Sequence, residues 1–581
     1  MPRNADLDAR ARDTTLSRLT TERFDLLIIG GGITGTGAAL DAASRGLRVA
    51  LIESRDLASG TSSRSSKLIH GGLRYLEQLD FKLVREALHE RDQLVSKLAP
   101  HLVTPVPFLY PLYKKVVERP YVGAGLVLYD AMEGTRRPVP FHKHLTAKGA
   151  LKIAPALSPV RLAGAMRYYD AQVDDARYTL TVARTAAAHG ALIATRVSAV
   201  SLTRDGATVT GAVVRDEETG RALTVHAAGV VICAGVWTDL VHELAGVPAG
   251  YKVRMSKGVH IVVPRDAIRA DTGMILKTEK SVLFFIPWGE RWIVGTTDTD
   301  WSGDRAEPAP DVEDIDYILT AANRVLTHPL TRSDVIAVYA GLRPLVAPTS
   351  SDGKPTAKLS REHVVDVPVP GVASIAGGKF TTYRIMARDV IDAVLDGHEV
   401  PGSVTDKTPL LGADGLAAVR AAAGRLAEDY AVPETAVTHL LSRYGSVCAD
   451  VLDLVRSDRD LARPLVSGHP YLRAEVAYAV THEGALHVED VLVRRTRLYI
   501  ESADSGAAAA EDVASIMGKH LGWHRRRRAA EISRYLDLIA AEQAVIASLT
   551  GAGLAGGAAV ADFGVGAAEA GVGGKVAAGL G

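Results

Sequence analysis

A glycine-rich turn between an apolar run and a helical pattern is the strongest constraint on the fold of this chain. The residues LLII at 26–29 predict a buried strand, and Gly30, Gly32 and Gly35 form the pattern G-x-G-x-x-G at the start of a helix. The first glycine permits a tight turn, the second lets the backbone approach a pyrophosphate, and the third lets helix and strand pack closely. This order of elements predicts a dinucleotide-binding βαβ unit.

The second strand of this unit ends in an acidic residue. The segment LRVALIE at 47–53 follows the helix and ends at Glu53. A carboxylate about 20 residues after the glycines accepts hydrogen bonds from a ribose. An ordinary glycine-containing turn needs no such partner, so the spacing favours nucleotide binding. No other glycine cluster in the sequence follows a strand and precedes a helix with an acidic partner, which predicts one dinucleotide site.

Length, charge and cysteine content limit the class of protein. The 581 residues predict two or three domains. Lys and Arg total 67 and so do Asp and Glu, and a net charge of zero argues against a nucleic-acid partner. The two cysteines, Cys233 and Cys448, lie far apart without a Cys or His cluster nearby. We therefore expect neither a disulfide framework nor a metal site. The cysteine content also favours the reducing environment of the cytoplasm.

The N-terminal residues 1–24 are polar and charged, so they lack the apolar core of a secretory signal. No run of about 18 charge-free apolar residues predicts a membrane-spanning helix. These features predict a protein that stays on the cytoplasmic side of the membrane.

The chain changes character near residue 400. Strand-like runs mixed with amphipathic helices continue to about residue 380, and helical patterns replace them from about Asp406. We predict an α/β fold with a Rossmann-like nucleotide-binding domain, an added antiparallel substrate sheet and an α-helical C-terminal domain. The predicted segments are an N-terminal extension at 1–23, interleaved cofactor- and substrate-binding domains at 24–405, a helical domain at 406–548 and an Ala/Gly-rich disordered tail at 549–581.

A long Ser/Gly-rich loop, SRDLASGTSSRSSKLIHGGLRYLE, follows Glu53 and is much richer in small polar residues than a simple NAD-binding unit needs. Such a loop suits the second half of a larger cofactor. Six motifs resemble the FAD-dependent (aerobic-type) glycerol-3-phosphate dehydrogenase family and follow its order, namely IIGGGITGTGAALDAASRG, SSKLIHGGLRYLE, VDDARYT, GTTDTDW, GLRPL and GGKFTTYRIMA. The resemblance continues into THEGALHVEDVLVRRTRL of the helical domain. It implies FAD in a Rossmann-like domain of the kind shared with glycine and D-amino-acid oxidases, with a substrate sheet over the flavin.

Oxidation of a secondary alcohol by a flavin requires a fixed hydride-donating carbon, an acceptor for the hydroxyl proton and anchors for the rest of the substrate. Arginine suits a phosphate dianion because its planar fork binds two oxygens. Arg74 stands beside Tyr75 after two glycines, Arg343 precedes a proline, and Lys379 follows Gly377 and Gly378 at a predicted strand-to-helix turn. Each of these residues also has a purely structural interpretation. Arg74 could be a surface arginine, Arg343 part of a structural salt bridge and Lys379 a solvated lysine.

The resemblance implies that Arg74, Tyr75, Arg343 and Lys379 match positions around the glycerol phosphate, and that His260 in SKGVHIVVP matches another. A lone histidine in a strand is also typical of a protein core. We assign Arg343, His260 and Lys379 to catalysis. The general base stays open between His260 and a water or an Arg343-assisted route.

The predicted FAD contacts come partly from spacing and partly from the resemblance. Spacing gives the three glycines and Glu53, whereas the resemblance implies residues of the Ser-rich loop, of a strand end in VVICAGVWT and of the late glycine turn. The full predicted set is Gly30, Gly32, Gly35, Glu53, Ser63, Ser66, Lys67, His70, Ala234, Gly235, Gly378 and Thr381.

One nucleotide site means that the reduced flavin passes its electrons to oxygen or to another carrier, which in the family is usually a membrane quinone. We therefore expect peripheral contact with the inner face of the cell membrane. Residues 112–132, where lysines and tyrosines flank an apolar run, suit a membrane interface, and Arg525–Arg528 beside Trp523 suits anionic headgroups. Both segments are also typical of packed or solvated helices. A homodimer is compatible with the sequence, although no pattern indicates one.

The sequence thus predicts an FAD enzyme that oxidises sn-glycerol 3-phosphate to dihydroxyacetone phosphate and passes the electrons to quinone. A glycerol-3-phosphate oxidase that uses oxygen and releases hydrogen peroxide shares the same motifs. A non-catalytic flavin-holding or RNA-modifying scaffold shares the nucleotide fold alone. The neutral charge balance and the motifs around Arg74 and Arg343 argue against that scaffold.

Overall fold

The computed structural model describes residues 5–73, 80–114, 118–132, 138–248, 250–278, 282–348 and 362–549. Arg74 and Tyr75, two of the predicted substrate contacts, lie outside the described residues. The predicted tail also lies outside them, apart from Leu549.

The strands of the described residues are numbered in chain order. They are β1 (Arg23–Ile29), β2 (Val49–Glu53), β3 (Leu68–Ile69), β4 (Val103–Leu112), β5 (Lys143–Thr146), β6 (Gly164–Val173), β7 (Leu192–Thr195), β8 (Val197–Asp205), β9 (Thr208–Asp216), β10 (Ala222–Ile232), β11 (Tyr251–Pro264), β12 (Gly273–Lys277), β13 (Val282–Trp288), β14 (Arg291–Gly295), β15 (Thr299–Trp301), β16 (Ala337–Pro348), β17 (His363–Val369) and β18 (Val372–Gly377).

The α-helices of the described residues follow the same order. They are α1 (Arg12–Thr21), α2 (Ile33–Ser44), α3 (Phe81–Gln93), α4 (Glu118–Met132), α5 (Ala147–Ile153), α6 (Asp175–Ala188), α7 (Thr238–Ala245), α8 (Val312–Asn323), α9 (Tyr383–Val394), α10 (Leu416–Ala421), α11 (Ala423–Tyr430), α12 (Glu434–Tyr444), α13 (Cys448–Ser457), α14 (Arg473–His482), α15 (Leu498–Glu501), α16 (Ala510–Leu521) and α17 (Arg525–Leu549).

The first sheet carries the predicted βαβ unit. Its strand order is β17-β18-β10-β1-β2-β7, and β9 and β8 extend it from β10. The strands from β18 to β7 run parallel. Leu27 and Ile28 of β1 are fully buried because both faces of the sheet are covered, one by helices and the other by α1 with the strands β8 and β9, which explains why the strand is a continuous apolar run. The helices α2, α6 and α9 pack on one face, and α1 contributes Leu16 and Leu19 to the other.

The second sheet has the order β15-β11-β14-β13-β12-β4-β6-β3, with β16 paired to β11 and β5 paired to β6. Its pairs are antiparallel except for the short parallel pair of β4 and β12. The register of β11 and β16 sets Arg343 opposite Ser256 and Tyr339 opposite His260. The predicted combination of a Rossmann-like domain, a substrate sheet and a helical C-terminal domain is confirmed.

The chain is helical from α10 to α17, around a core that includes Val437, Tyr478 and Leu492. The last helix, α17, returns to the substrate sheet, where Val545 and Ile546 pack against its core. A bilayer-spanning helix is absent from the described part of the chain, since no helix there combines the length and the apolar character that a span requires.

Buried ion pairs join the helical domain to the nucleotide domain. Arg494 Nε donates to Asp56 Oδ2 at 2.5 Å, and Arg495 Nη2 donates to Asp56 Oδ1 at 2.9 Å. Arg497 Nη2 donates to Asp175 Oδ1 at 2.5 Å. These five side chains are almost completely removed from solvent. Removing the charged side chain of one partner therefore leaves a buried charge without its counter-ion.

Replacing Asp56 with asparagine should lower the free energy of unfolding by about 3–5 kcal/mol, because two buried guanidinium groups lose one carboxylate. The matched control is Glu22→Gln, which removes an exposed ion pair with Arg18 and should cost less than about 1 kcal/mol. Thermal and denaturant unfolding of the two variants measures the difference. Equal losses for Asp56→Asn and Glu22→Gln would show that the buried pairs contribute no more than a surface pair.

Candidate active site

A cavity of about 580 Å³ lies between the two sheets. Its lining includes Gly32 and Glu53 of the βαβ unit and also His260, Arg343 and Lys379 of the predicted catalytic group. Cavities of this size usually hold a small molecule or cofactor. The two groups of residues predicted from separate motifs therefore line the same cavity.

The glycine turn has the geometry that a pyrophosphate requires. Gly30 has a φ of +117°, and a Cβ there would lie 2.5 Å from the carbonyl oxygen of Cys233. Gly32 is the N-cap of α2 and provides no side chain, so the helix N-terminus is open to an anion. A Cβ at Gly35 would collide with the carbonyl oxygen of Gly30. Gly35 thus allows helix and strand to pack, and its position is outside the cavity lining.

Glu53 is fixed at the end of β2 by backbone amides. Its Oε2 accepts a hydrogen bond from Gly31 N at 2.7 Å, and its Oε1 accepts one from Arg55 N at 2.8 Å. Ser62 Oγ accepts a hydrogen bond from Ile33 N at 2.9 Å and so joins the Ser-rich loop to the start of α2. The hydrogen bonds from Gly31 and Arg55 thus hold the Glu53 carboxylate in one orientation at the cavity lining.

Most of the predicted cofactor contacts line this cavity. They are Gly30, Gly32, Glu53, Ser66, His70, Ala234, Gly235, Gly378 and Thr381. His70 and Thr381 come from distant segments and meet there, since His70 N donates to Thr381 Oγ1 at 3.1 Å. Gly377 and Gly378 have φ angles of +79° and +82° and form the turn before Lys379. The strand-to-helix turn predicted there extends over the short helical turn Phe380–Thr382 before α9 begins.

Lys67 and Ser63 are not part of the cavity lining, so their contact with the cofactor stays a prediction. Lys67 is fully buried, and its Nζ donates to Asp175 Oδ1 at 3.0 Å and to Ser63 O at 3.1 Å. Burial and the nearby guanidinium of Arg497 lower the pKa of Lys67 to about 8. Its ammonium group thus holds the loop from behind and does not face the cavity.

His260 lies on β11 with its ring stacked on Tyr339 at a centroid distance of 4.8 Å. Its Nε2 forms a 2.8 Å hydrogen bond with Ser66 Oγ. Burial, together with the positive charges of Arg343 and Lys67, holds the pKa of His260 well below its usual value. The imidazole is therefore neutral at physiological pH and able to accept a proton.

Arg343 on β16 is held by several oxygens. Its guanidinium donates to Thr296 Oγ1 at 3.1 Å, to Thr297 O at 3.2 Å and to Ser256 Oγ at 3.3 Å. Asp298 Oδ1 lies 3.7 Å from the same group. These contacts fix a positive charge at the cavity wall, as required for binding an oxyanion.

The residues that hold Arg343 had no predicted role. Ser256 lies in SKG, and Thr296 and Asp298 lie in GTTDTDW, a motif that carried the family resemblance without naming a function for its members. Gly258 also belongs to this group, since a Cβ there would lie 2.6 Å from the Arg343 guanidinium. The signal that the sequence offered for these residues was a run of polar residues next to the end of a strand. In the described ranges, no cluster of His, Cys, Asp or Glu has the arrangement of a metal site.

Two family models match the chain. Residues 25–384 match the model described as FAD dependent oxidoreductase, and residues 403–528 match the C-terminal domain of alpha-glycerophosphate oxidase. The chain therefore belongs to the FAD-dependent oxidoreductases, and its cofactor is FAD. The open glycine turn and the fixed Glu53 carboxylate, both in the cavity lining, fit this dinucleotide.

Comparison with individual proteins narrows the family further. Glycerol-3-phosphate dehydrogenase 2 of Mycobacterium tuberculosis is 52% identical over 540 residues, which cover 93% of this chain and 92% of that protein. The human mitochondrial glycerol-3-phosphate dehydrogenase is 38% identical over 89% of this chain and 74% of its own length. The structure of the glycerol-3-phosphate dehydrogenase from Bacillus halodurans complexed with FAD has a TM-score of 0.77 and 30% identity, over 93% of this chain and 99% of that one. The chain is a member of the FAD-dependent glycerol-3-phosphate dehydrogenase family.

Gly32→Val should yield folded protein with at least tenfold less bound FAD, because the valine side chain occupies the space through which the pyrophosphate approaches. Gly402→Val is the matched control, since a Cβ at Gly402 has no atom within 4 Å. Flavin absorbance per protein, together with circular dichroism, measures occupancy and folding. A Gly32→Val protein as yellow as Gly402→Val would contradict the assignment of this turn to FAD.

Proposed function

We propose that the protein oxidises sn-glycerol 3-phosphate to dihydroxyacetone phosphate and transfers the electrons to a membrane quinone. The observation that carries this proposal is the convergence of Arg343, Lys379 and His260 on the cavity that begins at the FAD-binding turn. Two cations and a neutral imidazole suit a phosphorylated secondary alcohol. The names of the mycobacterial and human relatives support the same substrate.

Bound FAD supplies the hydride acceptor for this reaction. The residues of the chain then have to hold the phosphate, orient the carbon that loses the hydride and accept the hydroxyl proton. Lys379 follows the two left-handed glycines at the cavity wall, where its ammonium group suits the phosphate. Arg74 and Tyr75 keep their predicted role as further substrate contacts.

Arg343 suits the reacting end of the substrate because its contacts to Thr296, Thr297 and Ser256 leave it little freedom to move. A fixed guanidinium stabilises the negative charge that develops on the hydroxyl oxygen without rearranging during the reaction. Either His260 or an Arg343-assisted water takes the proton. The depressed pKa of His260 keeps its acceptor nitrogen available.

Arg343→Ala should lower the rate of flavin reduction by about a hundredfold, equivalent to about 3 kcal/mol of lost charge stabilisation. Lys379→Ala should mainly raise the glycerol 3-phosphate concentration needed for half-maximal rate, because it removes a phosphate anchor. Anaerobic stopped-flow reduction at saturating substrate separates the two effects. Should Arg343→Ala reduce its flavin at the parental rate, the role of Arg343 beside the hydroxyl is wrong.

The second candidate is a glycerol-3-phosphate oxidase that passes electrons to oxygen. The match of residues 403–528 to the C-terminal domain of alpha-glycerophosphate oxidase favours keeping it as the alternative. The two activities share the substrate half-reaction and differ in what reaches the reduced flavin. Comparing turnover with a quinone analogue against oxygen uptake distinguishes them.

Contact with a membrane surface is best supported at α4. Its exposed face consists of apolar residues at helical spacing, namely Pro120, Tyr121, Ala124, Val127, Leu128 and Ala131. Tyr121 is 61% exposed and Val127 is 58% exposed. Nearby Phe141 is 63% exposed. An uncharged exposed face of this kind suits shallow insertion at the interface of a bilayer.

The charges around α4 favour an anionic lipid surface. The strand β5 packs beside α4, since a Cβ at Gly123 would lie 3.2 Å from the His144 ring. Lys143 of β5 and Lys148 and Lys152 of the following α5 are exposed. Each lysine near an anionic membrane contributes about 1 kcal/mol of attraction. Basic residues beside an apolar face match the composition of a peripheral membrane contact.

The inner face of α4 touches the cavity wall, which relates the membrane contact to electron transfer. Tyr129 Oη donates to Asp170 at 2.6 Å and accepts from Gly71 N at 3.0 Å. Gly72 and Leu73, the next residues, line the cavity. A quinone at this surface would therefore be one helix away from the cofactor space.

The arginine run at 525–528 fits a membrane contact less well. Arg527 forms ion pairs with Glu531 at 2.9 Å and with Glu218 at 3.5 Å. Arg528 packs against Gly518 of α16. These side chains hold α17 in place, so we favour α4.

The double variant Tyr121→Glu and Leu128→Glu should lose at least tenfold in binding to vesicles that contain anionic lipid, because it places two carboxylates on the apolar face. Val367→Glu is the matched control, since Val367 is 51% exposed on β17 of the nucleotide-binding sheet. Cosedimentation at low and high salt measures the binding. Unchanged binding of the double variant, at either salt concentration, would exclude α4 as the contact.

A further inference from the structure

His260 is almost completely enclosed. The residue is 2% exposed, its ring is covered by Tyr339, and no hydrogen-bond partner of its Nδ1 exists among the described residues. Its Nε2 is covered by the hydroxyl of Ser66 at 2.8 Å. Ser66 is half-buried and lines the cavity. The Ser66 hydroxyl therefore offers a proton a path from the cavity to Nε2.

Both neighbours of Ser66 are bound to one buried carboxylate. Asp175 accepts hydrogen bonds from Ser65 N at 2.9 Å, from Ser65 Oγ at 2.7 Å and from Lys67 Nζ at 3.0 Å. Lys67 has a φ of +57°, an uncommon backbone conformation for a residue other than glycine. The anchored neighbours fix the direction of the Ser66 side chain toward His260.

The stacking residue also belongs to this arrangement. Tyr339 Oη donates to Ser65 O at 3.1 Å while its ring covers the imidazole. Arg497 of the helical domain holds Asp175 from the other side. The Ser66–His260 contact is thus set before substrate enters, by residues from three separate segments of the chain.

We propose that Ser66 is a catalytic residue whose hydroxyl relays the substrate proton to His260. The substrate C2–H bond breaks and its electron pair leaves as a hydride to FAD, while the C2 oxygen forms the carbonyl and releases its proton to Ser66 Oγ. Ser66 transfers its own proton to His260 Nε2 in the same step. The products are the ketone, reduced cofactor and an imidazolium, so protons and electrons balance. This inference rests on the proposed oxidation of glycerol 3-phosphate.

The charges around His260 agree with a transient proton. Arg343 and Lys67 disfavour the imidazolium in the free enzyme. A bound phosphate dianion brings negative charge into the same cavity and offsets part of the effect of these cations. His260 therefore becomes a better proton acceptor only when substrate is present.

A variant series tests the relay by anaerobic stopped-flow reduction with glycerol 3-phosphate. Ser66→Ala should lower the limiting rate at least about tenfold, within the range of general acid–base effects, and change the substrate dissociation constant less than about threefold. Ser66→Thr keeps the hydroxyl and should retain most of the rate. The double variant of Ser66→Ala and His260→Gln should be no slower than His260→Gln alone by more than about twofold, because the two residues act as a unit.

Parental rates in Ser66→Ala, or losses that multiply in the double variant, would overturn the relay. The parent enzyme provides a test that needs no substitution. Its reduction rate in mixtures of H2O and D2O should show a curved dependence on deuterium content, because two protons move together. A linear dependence or no isotope effect would contradict the proposal. If glycerol 3-phosphate fails to reduce the parent flavin at all, the proposed function is wrong and the relay is not the cause.

Discussion

The buried pairing of arginines from the helical domain with aspartates of the nucleotide domain is the interaction on which the rest of the site depends. The segment RRTR at 494–497 reaches Asp56 and Asp175. Asp56 lies three residues after Glu53, and Asp175 is the carboxylate that anchors Ser65. Removing these groups from water is costly and is repaid only by close, complementary pairing. The helical domain therefore determines where the Ser-rich loop can lie.

This constraint explains how residues of both sheets come to line one cavity. The loop begins beside the glycine turn, where Ser62 accepts a hydrogen bond from Ile33, and ends at β3 in the second sheet. Residues throughout the loop line the cavity, including Ser66 beside His260. The second sheet supplies Arg343 through the long pair of β11 and β16. The glycine turn and Lys379 thus belong to the first sheet and His260 and Arg343 to the second, and one anchored loop connects the two.

Local chemistry made part of this arrangement predictable from the sequence. The glycine turn, Glu53 and the change to helices after residue 400 follow from steric and periodic patterns that act over short distances. The sequence does not show that Asp175, 108 positions after Lys67, accepts a hydrogen bond from its ammonium group. The Ser66–His260 contact spans 194 positions and depends on tertiary packing. The oxygens around Arg343 come from Ser256 on β11 and from the segment between β14 and β15, which no spacing rule in the sequence identifies.

The central claim is that glycerol 3-phosphate reduces the flavin in this cavity because cations hold its phosphate while its hydroxyl lies beside Arg343 and the Ser66–His260 pair. The most direct measurement is the visible spectrum of the purified yellow protein after anaerobic addition of glycerol 3-phosphate, compared with the same concentration of glycerol. We predict rapid bleaching with glycerol 3-phosphate and little or none with glycerol. A spectrum that glycerol 3-phosphate leaves unchanged, in protein that dithionite still bleaches, would contradict the account.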